Sequence, residues 1–566
     1  MKRTIPTQTW IILLVLLLNI ILVGPSLTPH YSSINAHDEA KYIESGRLLL
    51  RGEVRDLVWG PLVAIAYAPA HLIFGTSPDW FLLDAWGGGI LLFAFIWVSF
   101  YYLGTRFSDV LSPYAMMGLL LVTPPLFDVL SNPSDALFVG LSAFALAVLL
   151  EFRRHPSDRL AALGSTLIAL AVLARFEAIM LLPLFLLLVA VTVGRSNWNW
   201  TMAAAATLPA CLLLAGYVGL FRISTGSSDL GIANKSYASF EMNQPLSGNG
   251  SDNLKVQRTR ELFGTNEDNG GSVLRAAIRN PAAFADRIRA NLMGQPDRFL
   301  EIYGKQLGPV VAILMLLGGA GFILRRRWLE LTVLLLWSLQ PAVSLVFLPL
   351  HFLRQLSYVP LLLAAAGASM LVSRSPQRWS RPSISLAAFG LLAFGLLDAK
   401  LAFAVAGLVS GAAVLLVEAR DRNMTSHAER RSPYSAAGFL LLLAAGLILR
   451  GPYRFPDFPS IGTSEREQAV HALQETFKPG SFILEPLSLP AVAAKLNRYP
   501  LSHVPKDVNS AQDLREWMQS EAIVGIYLEG DWTERGDLSQ EIHEADSAFD
   551  LIFESDSGFI HIFALK

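Results

Sequence analysis

Residues Asn35–Leu62 read NAHDEAKYIESGRLLLRGEVRDLVWGPL, and their reading decides the fold. The stretch follows directly on the apolar run Trp10–Leu27 and is crowded with charge. The chain as a whole is not. Of its 566 residues 53% are hydrophobic and only 16% are charged, where a soluble domain carries roughly a quarter charged. Lipid is therefore the solvent for most of this chain, and charge beside a span needs a reason.

The run Trp10–Leu27 is close to the roughly 20 residues that cross a hydrocarbon core. The residues near its end, Val23-Gly24-Pro25-Ser26, make a poor cleavage site, so the segment reads as an uncleaved anchor behind a basic, cytoplasmic N-terminus (Lys2, Arg3). Further apolar runs predict spans near 80–105, 110–127, 135–152, 159–174, 177–194, 200–221, 306–324, 328–349, 356–373, 383–397, 401–418 and 434–450. With the first this gives about thirteen transmembrane helices. Arg106, Arg153-Arg154 with Arg159, Arg195, Arg325-Arg326-Arg327, Arg374 with Arg378 and Arg381, and Arg420 through Arg431 then share the side of Lys2 and Arg3, as the positive-inside rule requires.

This topology puts four segments outside: the opening stretch, the Asp128–Ser134 turn, the Arg222–Lys305 loop and everything after Arg450. Val58–Gly75, with Pro61, Pro69 and His71, reads as helices at the outer interface. Thr225–Gly271 is rich in Gly, Ser and Asn, which predicts irregular chain. Asn280-Pro281 reads as an N-cap with Pro in the first turn. The repeat of Phe284, Ile288 and Leu292 beside Arg287, Arg289 and Arg298 fits either a helix lying on a membrane surface or a solvated connector.

After Arg454 the composition becomes soluble. Ser481–Glu485, Ala522–Leu528, Asp550–Glu554 and Phe559–Ala564 read as strands, with helices near Ala491–Leu496, Ala511–Gln519 and Leu538–Glu544 and a turn at Asp556-Ser557-Gly558. The fold class is thus an all-α polytopic membrane domain, residues 1–453, with a small extracytoplasmic α/β domain, residues 454–566. The latter has no phosphate loop or nucleophile elbow and receives no chemistry. Net charge is −1, so a nucleic-acid partner is not indicated. Cys211 stands alone, and no HExxH or paired CxxC occurs.

Within the opening stretch, Asn35 is placed to cap a helix whose third position is Asp38, and Gly52 to end it. On this reading Asp38 does no more than start a helix. As chemistry, His37, Asp38, Glu39 and Lys41 cluster at the outer end of a span. The order of elements adds weight. DEAKYIESGRLLLRG (38–52) followed by GPLVAIAYAPAHLIFG (60–75) resembles the GT-C superfamily of polyprenyl-phosphate-sugar-dependent glycosyltransferases. The likeness is greatest to the branch of protein O-mannosyltransferases and lipid A aminoarabinose transferases.

Ser131-Asn132-Pro133-Ser134-Asp135, Leu173-Ala174-Arg175-Phe176-Glu177, the Asn280-Pro281 helix and His351-Phe352-Leu353-Arg354-Gln355 resemble further elements of that superfamily in the same order. The resemblance implies that Asp38, with Glu39 as neighbour, is the catalytic carboxylate. It implies that Arg175, Arg354 and His351 contact a donor phosphate and that Asp135 and Glu177 contact substrate. The partners implied are a polyprenyl-phosphate-linked sugar, membrane lipid and a glycan, lipid or protein acceptor. Whether Asp38 and Asp135 share a divalent cation stays open, since branches differ.

The sequence departs from the pattern in two places. Trp59-Gly60-Pro61 stands where the aminoarabinose transferases have Lys-Pro-Pro, and no WWDYG-like signature of oligosaccharyltransferases is present. Simpler readings exist for each residue: outer arginines snorkel to headgroups, Arg175 pairs with Glu177, and Asp135 complements a helix dipole. The rival functions are a polytopic transporter or lipid flippase, and a non-catalytic scaffold. Transporters keep ionisable groups near the midplane, whereas these lie at the outer rim.

Overall fold

A computed structural model describes, with short interruptions, residues 38–106, 132–295, 308–367 and 463–566. The expected spans Trp10–Leu27, 110–127, 383–397, 401–418 and 434–450 lie outside the described residues. So do Asn35, His351, Arg354 and the side chains of Asp38 and Glu39. The described chain is mostly helical with one small sheet, and forms two compact units.

The first unit draws on segments 54–62 and 92–367. Among the described residues four helices are long and apolar enough to cross a membrane: Leu83–Thr105, Pro133–Arg154, Phe176–Gly194 and Trp200–Thr225. The expectation of about thirteen therefore finds four clear cases here, with shorter apolar helices such as Leu314–Leu324 beside them. Burial ranks their positions. Pro133–Arg154 is 89% buried and central, whereas Trp200–Thr225 is 22% buried and peripheral.

Local chemistry sets the ends of these helices. Pro133 occupies the first turn of Pro133–Arg154, and Arg153 and Arg154 sit at its negative end. Three residues on, the Ser157 hydroxyl accepts from the Leu160 amide and starts Asp158–Ala174. Asn199 does the same for Met202, 2.8 Å away, at the start of Trp200–Thr225. Pro209 removes one rung from that helix, and the next amide, Ala210, donates to the buried Ser165 hydroxyl at 3.3 Å. That contact satisfies a polar group where lipid offers no partner.

The loop between Thr225 and Gly308 departs from expectation. Ile232–Met242, Asp252–Phe263 and Asn266–Asn269 are helices, where the Gly, Ser and Asn content predicted irregular chain, and Val273–Arg279 is a further helix after them. Tyr237, Phe240, Phe263, Val273 and Ala276 give them a core, which the composition count did not register. Asn269 donates to the Tyr237 hydroxyl at 2.8 Å and to the Phe263 and Thr265 carbonyls, closing the turn between two of the helices. Asn280 caps Pro281–Met293 as expected, its side chain accepting from Ala283.

The face of that last helix is different from the expected one. Arg287 is buried, donating to the Gln244 side chain at 2.6 Å and the Phe240 carbonyl at 2.5 Å, while Leu292 and Met293 are exposed. Burial lowers the Arg287 guanidinium to about 9. Of the stripe Phe284–Ile288–Leu292, Phe284 packs against the loop core while Leu292 is exposed, and a buried cation lies one turn from Phe284.

The second unit combines segments 38–53, 63–91 and 463–566. Its sheet has the order β2-β1-β3-β5-β4, with β1 Phe482–Glu485, β2 Asn497–Pro500, β3 Ile523–Glu529, β4 Phe549–Glu554 and β5 Ile560–Leu565. β2, β1 and β3 are parallel, and β3, β5 and β4 antiparallel. Alternation along each strand feeds two cores. Leu484, Ile526, Leu528 and Phe563 pack under Ala511–Ser520, while Ile483, Tyr527, Ile560 and Ile562 pack under Thr463–Thr476. β2 and the Thr463–Thr476 helix were not foreseen. β2 ends in Pro500 and is only four residues long.

In the same unit the helix Asp38–Leu50 crosses Ala64–Phe74 at close range. Gly52, at φ +83°, follows the first helix with its amide on the Leu49 carbonyl, the stop expected of it. Gly46 makes the crossing possible. A Cβ there would lie 2.6 Å from the backbone of Tyr67 and Ala68, which cannot rotate away. Gly46→Ala should therefore lower stability by about 1–3 kcal/mol in thermal unfolding of the detergent-solubilised protein. Gly219→Ala, at a site with nothing within 4 Å, should be neutral or gain about 0.5–1 kcal/mol. Equal effects of the two would contradict the crossing.

Candidate functional site

Three of the sequence elements singled out above meet in the first unit around one guanidinium. Arg175 follows the last turn of Asp158–Ala174 with extended backbone (φ −150°, ψ 121°), and a 3-10 turn, Phe176–Met180, begins immediately after it. This break turns the arginine side chain out of the helix and puts Glu177 beside it. Nη2 of Arg175 lies 2.9 Å from Oε1 of Glu177. Nη1 lies 2.9 Å from Oδ1 of Asp135 and donates to the Ser134 hydroxyl at 3.2 Å.

Asp135 stands in the first turn of Pro133–Arg154, where a negative charge complements the unpaired amides. It is fully buried, and Arg175 and Glu177 are nearly so. The Ser134 hydroxyl donates in turn to Oδ1 of Asn132 at 2.8 Å. From the third element, the side chain of Gln355 donates to Oδ1 of Asp135 at 3.4 Å.

The chain after the Asp38–Leu50 helix closes over this end of the bundle. Gly60 adopts φ +61°, and a Cβ on it would come within 2.2 Å of the Ala174 carbonyl oxygen and 3.4 Å of the Ser134 side chain. Leu57 packs with Leu173, Tyr217 and Phe221, and Val54, Leu62 and Phe176 join the same cluster. Only glycine fits against Ala174 in that backbone conformation, and Trp59 before it lies outside the described residues.

Of the predicted residues, Asp135, Arg175 and Glu177 are brought together. His351 and Arg354 lie outside the described residues, and Asp38 is described only as the first residue of its helix. Ser134 and Gln355 belong to quoted motifs but were not singled out, because neither carries charge. Their signal was position, one residue from Asp135 and one from Arg354. Among the described residues no group of three or more His, Cys, Asp or Glu is gathered as metal ligands.

Two carboxylates engage Arg175, Asp135 through Nη1 and Glu177 through Nη2. The pairing read as the simpler alternative for Arg175 and Glu177 is present, with Asp135 added. Removing the cation leaves two buried carboxylates facing each other. Arg175→Ala should therefore cost about 3–5 kcal/mol in chemical denaturation, and Arg175→Ala with Asp135→Asn and Glu177→Gln should recover part of that loss. A single variant as stable as wild type would show that the cluster is not closed.

No protein-family model matches the chain, and no curated protein does. Among solved structures it is similar to ArnT from Cupriavidus metallidurans in the apo state, at 14% identity and a TM-score of 0.45 over 99% of this chain and 98% of that one. It is also similar to the Archaeoglobus fulgidus oligosaccharyltransferase in the apo form, at 12% identity and a TM-score of 0.43 over 98% of this chain and 74% of that one.

Proposed function

We propose that the chain is a membrane glycosyltransferase that moves a sugar from a polyprenyl-phosphate donor to an acceptor, with inversion, on the outer face of a cell membrane, a bacterial inner membrane in particular. The observation that carries the reading is the gathering of Ser134, Asp135, Arg175, Glu177 and Gln355 in one buried cluster. These residues come from three of the elements on which the sequence resemblance to the GT-C superfamily rests.

In this reading Asp38 accepts the proton of the acceptor hydroxyl as the acceptor oxygen bonds to the anomeric carbon. The bond from that carbon to the phosphate oxygen breaks, and the lipid phosphate leaves with the electron pair. General base catalysis of this kind supplies about 10²–10⁴-fold, and cations on the phosphate stabilise the charge that develops there. Arg354 and His351 make that contact. Arg175, engaged by Asp135 and Glu177, sets the carboxylates and reaches the phosphate by exchange. Glu39 neighbours the base. Residues 1–453 act as the membrane domain and 454–566 as the outer domain.

Purified Asp38→Asn protein in liposomes should bind a polyprenyl-phosphate sugar with wild-type affinity and lose transfer by about 10²-fold or more. Transfer at the wild-type rate by that variant would reject Asp38 as the base. Counterflow of the lipid without any glycosylated product would favour a flippase instead.

A further inference from the structure

A second buried polar cluster lies wholly in the second unit and has no part in the chemistry above. The helix Trp80–Thr105 is apolar but for one charge near its start, Asp84, which is fully buried. An acid so placed needs a reason. Nδ1 of His71, on Ala64–Phe74, lies 2.6 Å from Oδ2 of Asp84. One turn before Asp84, on the same face, stands Trp80. The His71 ring meets the Trp80 ring edge-on at 5.2 Å, and the Arg47 guanidinium lies 5.4 Å from its centroid. Arg47 pairs with Glu44 at 2.6 Å, and both are buried on the Asp38–Leu50 helix.

The indole N–H of Trp80 donates to Oδ1 of Asn497 at 2.6 Å. Asn497 opens β2 and is itself fixed: its Nδ2 donates to the Gly480 carbonyl at 2.5 Å and its amide to the Ser481 carbonyl at 2.8 Å. A rigid residue of the C-terminal sheet thus holds Trp80, and Trp80 is flanked by Arg47 from the helix that begins at Asp38.

We infer that Asn497 is a positioning residue, through which the C-terminal α/β domain fixes the Asp38–Leu50 helix by way of Trp80 and Arg47. The importance of that helix to turnover rests on the reading of Asp38 as the base; the latch itself does not. It gives the C-terminal domain a task without chemistry of its own. An amide acceptor suits that task, since it leaves the buried indole N–H satisfied without adding a charge beside Asp84.

The test uses full-length protein in liposomes, with Asn497→Ala, Trp80→Phe and the double variant. Trp80→Phe keeps a ring for Arg47 and His71 and loses only the donor. Hydrogen–deuterium exchange across residues 41–50 should quicken about tenfold in each single variant, as for one lost buried hydrogen bond, with β1 and β3 unchanged. The double variant should be no worse than the singles, because one contact is lost in all three. The kcat for sugar transfer should fall while KM for the lipid donor holds.

Wild-type exchange at 41–50 in Trp80→Phe, or fully additive effects, would overturn the latch. Faster exchange with unchanged kcat would overturn its positioning role. A wild-type protein without transferase activity would count against the function reading alone, and the exchange data would still decide the latch.

Discussion

Arg175 and the two carboxylates that flank it form the constraint on which the first unit depends. A guanidinium and two carboxylates removed from water lose several kcal/mol of hydration per ion, and in a bundle this apolar their pairing with one another offsets part of that loss. Asp135 Oδ1 and Glu177 Oε1 lie 2.9 Å from the two ends of one planar fork, a geometry that lysine cannot reproduce. The cluster ties the start of one long helix, Pro133–Arg154, to the break between Asp158–Ala174 and the 3-10 turn after it. Gly60 and Leu57 then seat the preceding loop on the same place.

Gln355 reaches Asp135, at the start of Pro133–Arg154, from an element 220 residues later in sequence. The proposed reaction needs a base, cations and shelter from water. In the proposal Asp38 is the first, and Arg354 and His351 are the second.

Much of this was legible in the sequence, for physical reasons that differ by element. Pro133–Arg154 and Trp200–Thr225 announce themselves by sustained apolarity, the signal that lipid solvation demands. Asn280-Pro281 and Gly52 were readable because capping is local. The strands β1, β3, β4 and β5 were readable from alternation, and β2 was not, being four residues ending in proline. The loop 225–271 was misread since composition averages over Tyr237, Phe240 and Phe263, which are few but sufficient for a core. Arg287 was misassigned to a surface because helical periodicity says which residues share a face, and not that a buried cation will find carbonyl partners there. Asp84 drew no reading from the sequence, because its pairing with His71 depends on tertiary contact.

The most direct test of the central claim is an electron cryo-microscopy map of the protein in a lipid nanodisc with a polyprenyl-phosphonate sugar, an analogue that binds without transferring. The account predicts the phosphonate held by the basic groups named for it, Arg354, His351 or an exchanged Arg175, with the anomeric carbon turned toward Asp38. Density for the headgroup at the middle of the bilayer, away from all of these residues, would contradict it.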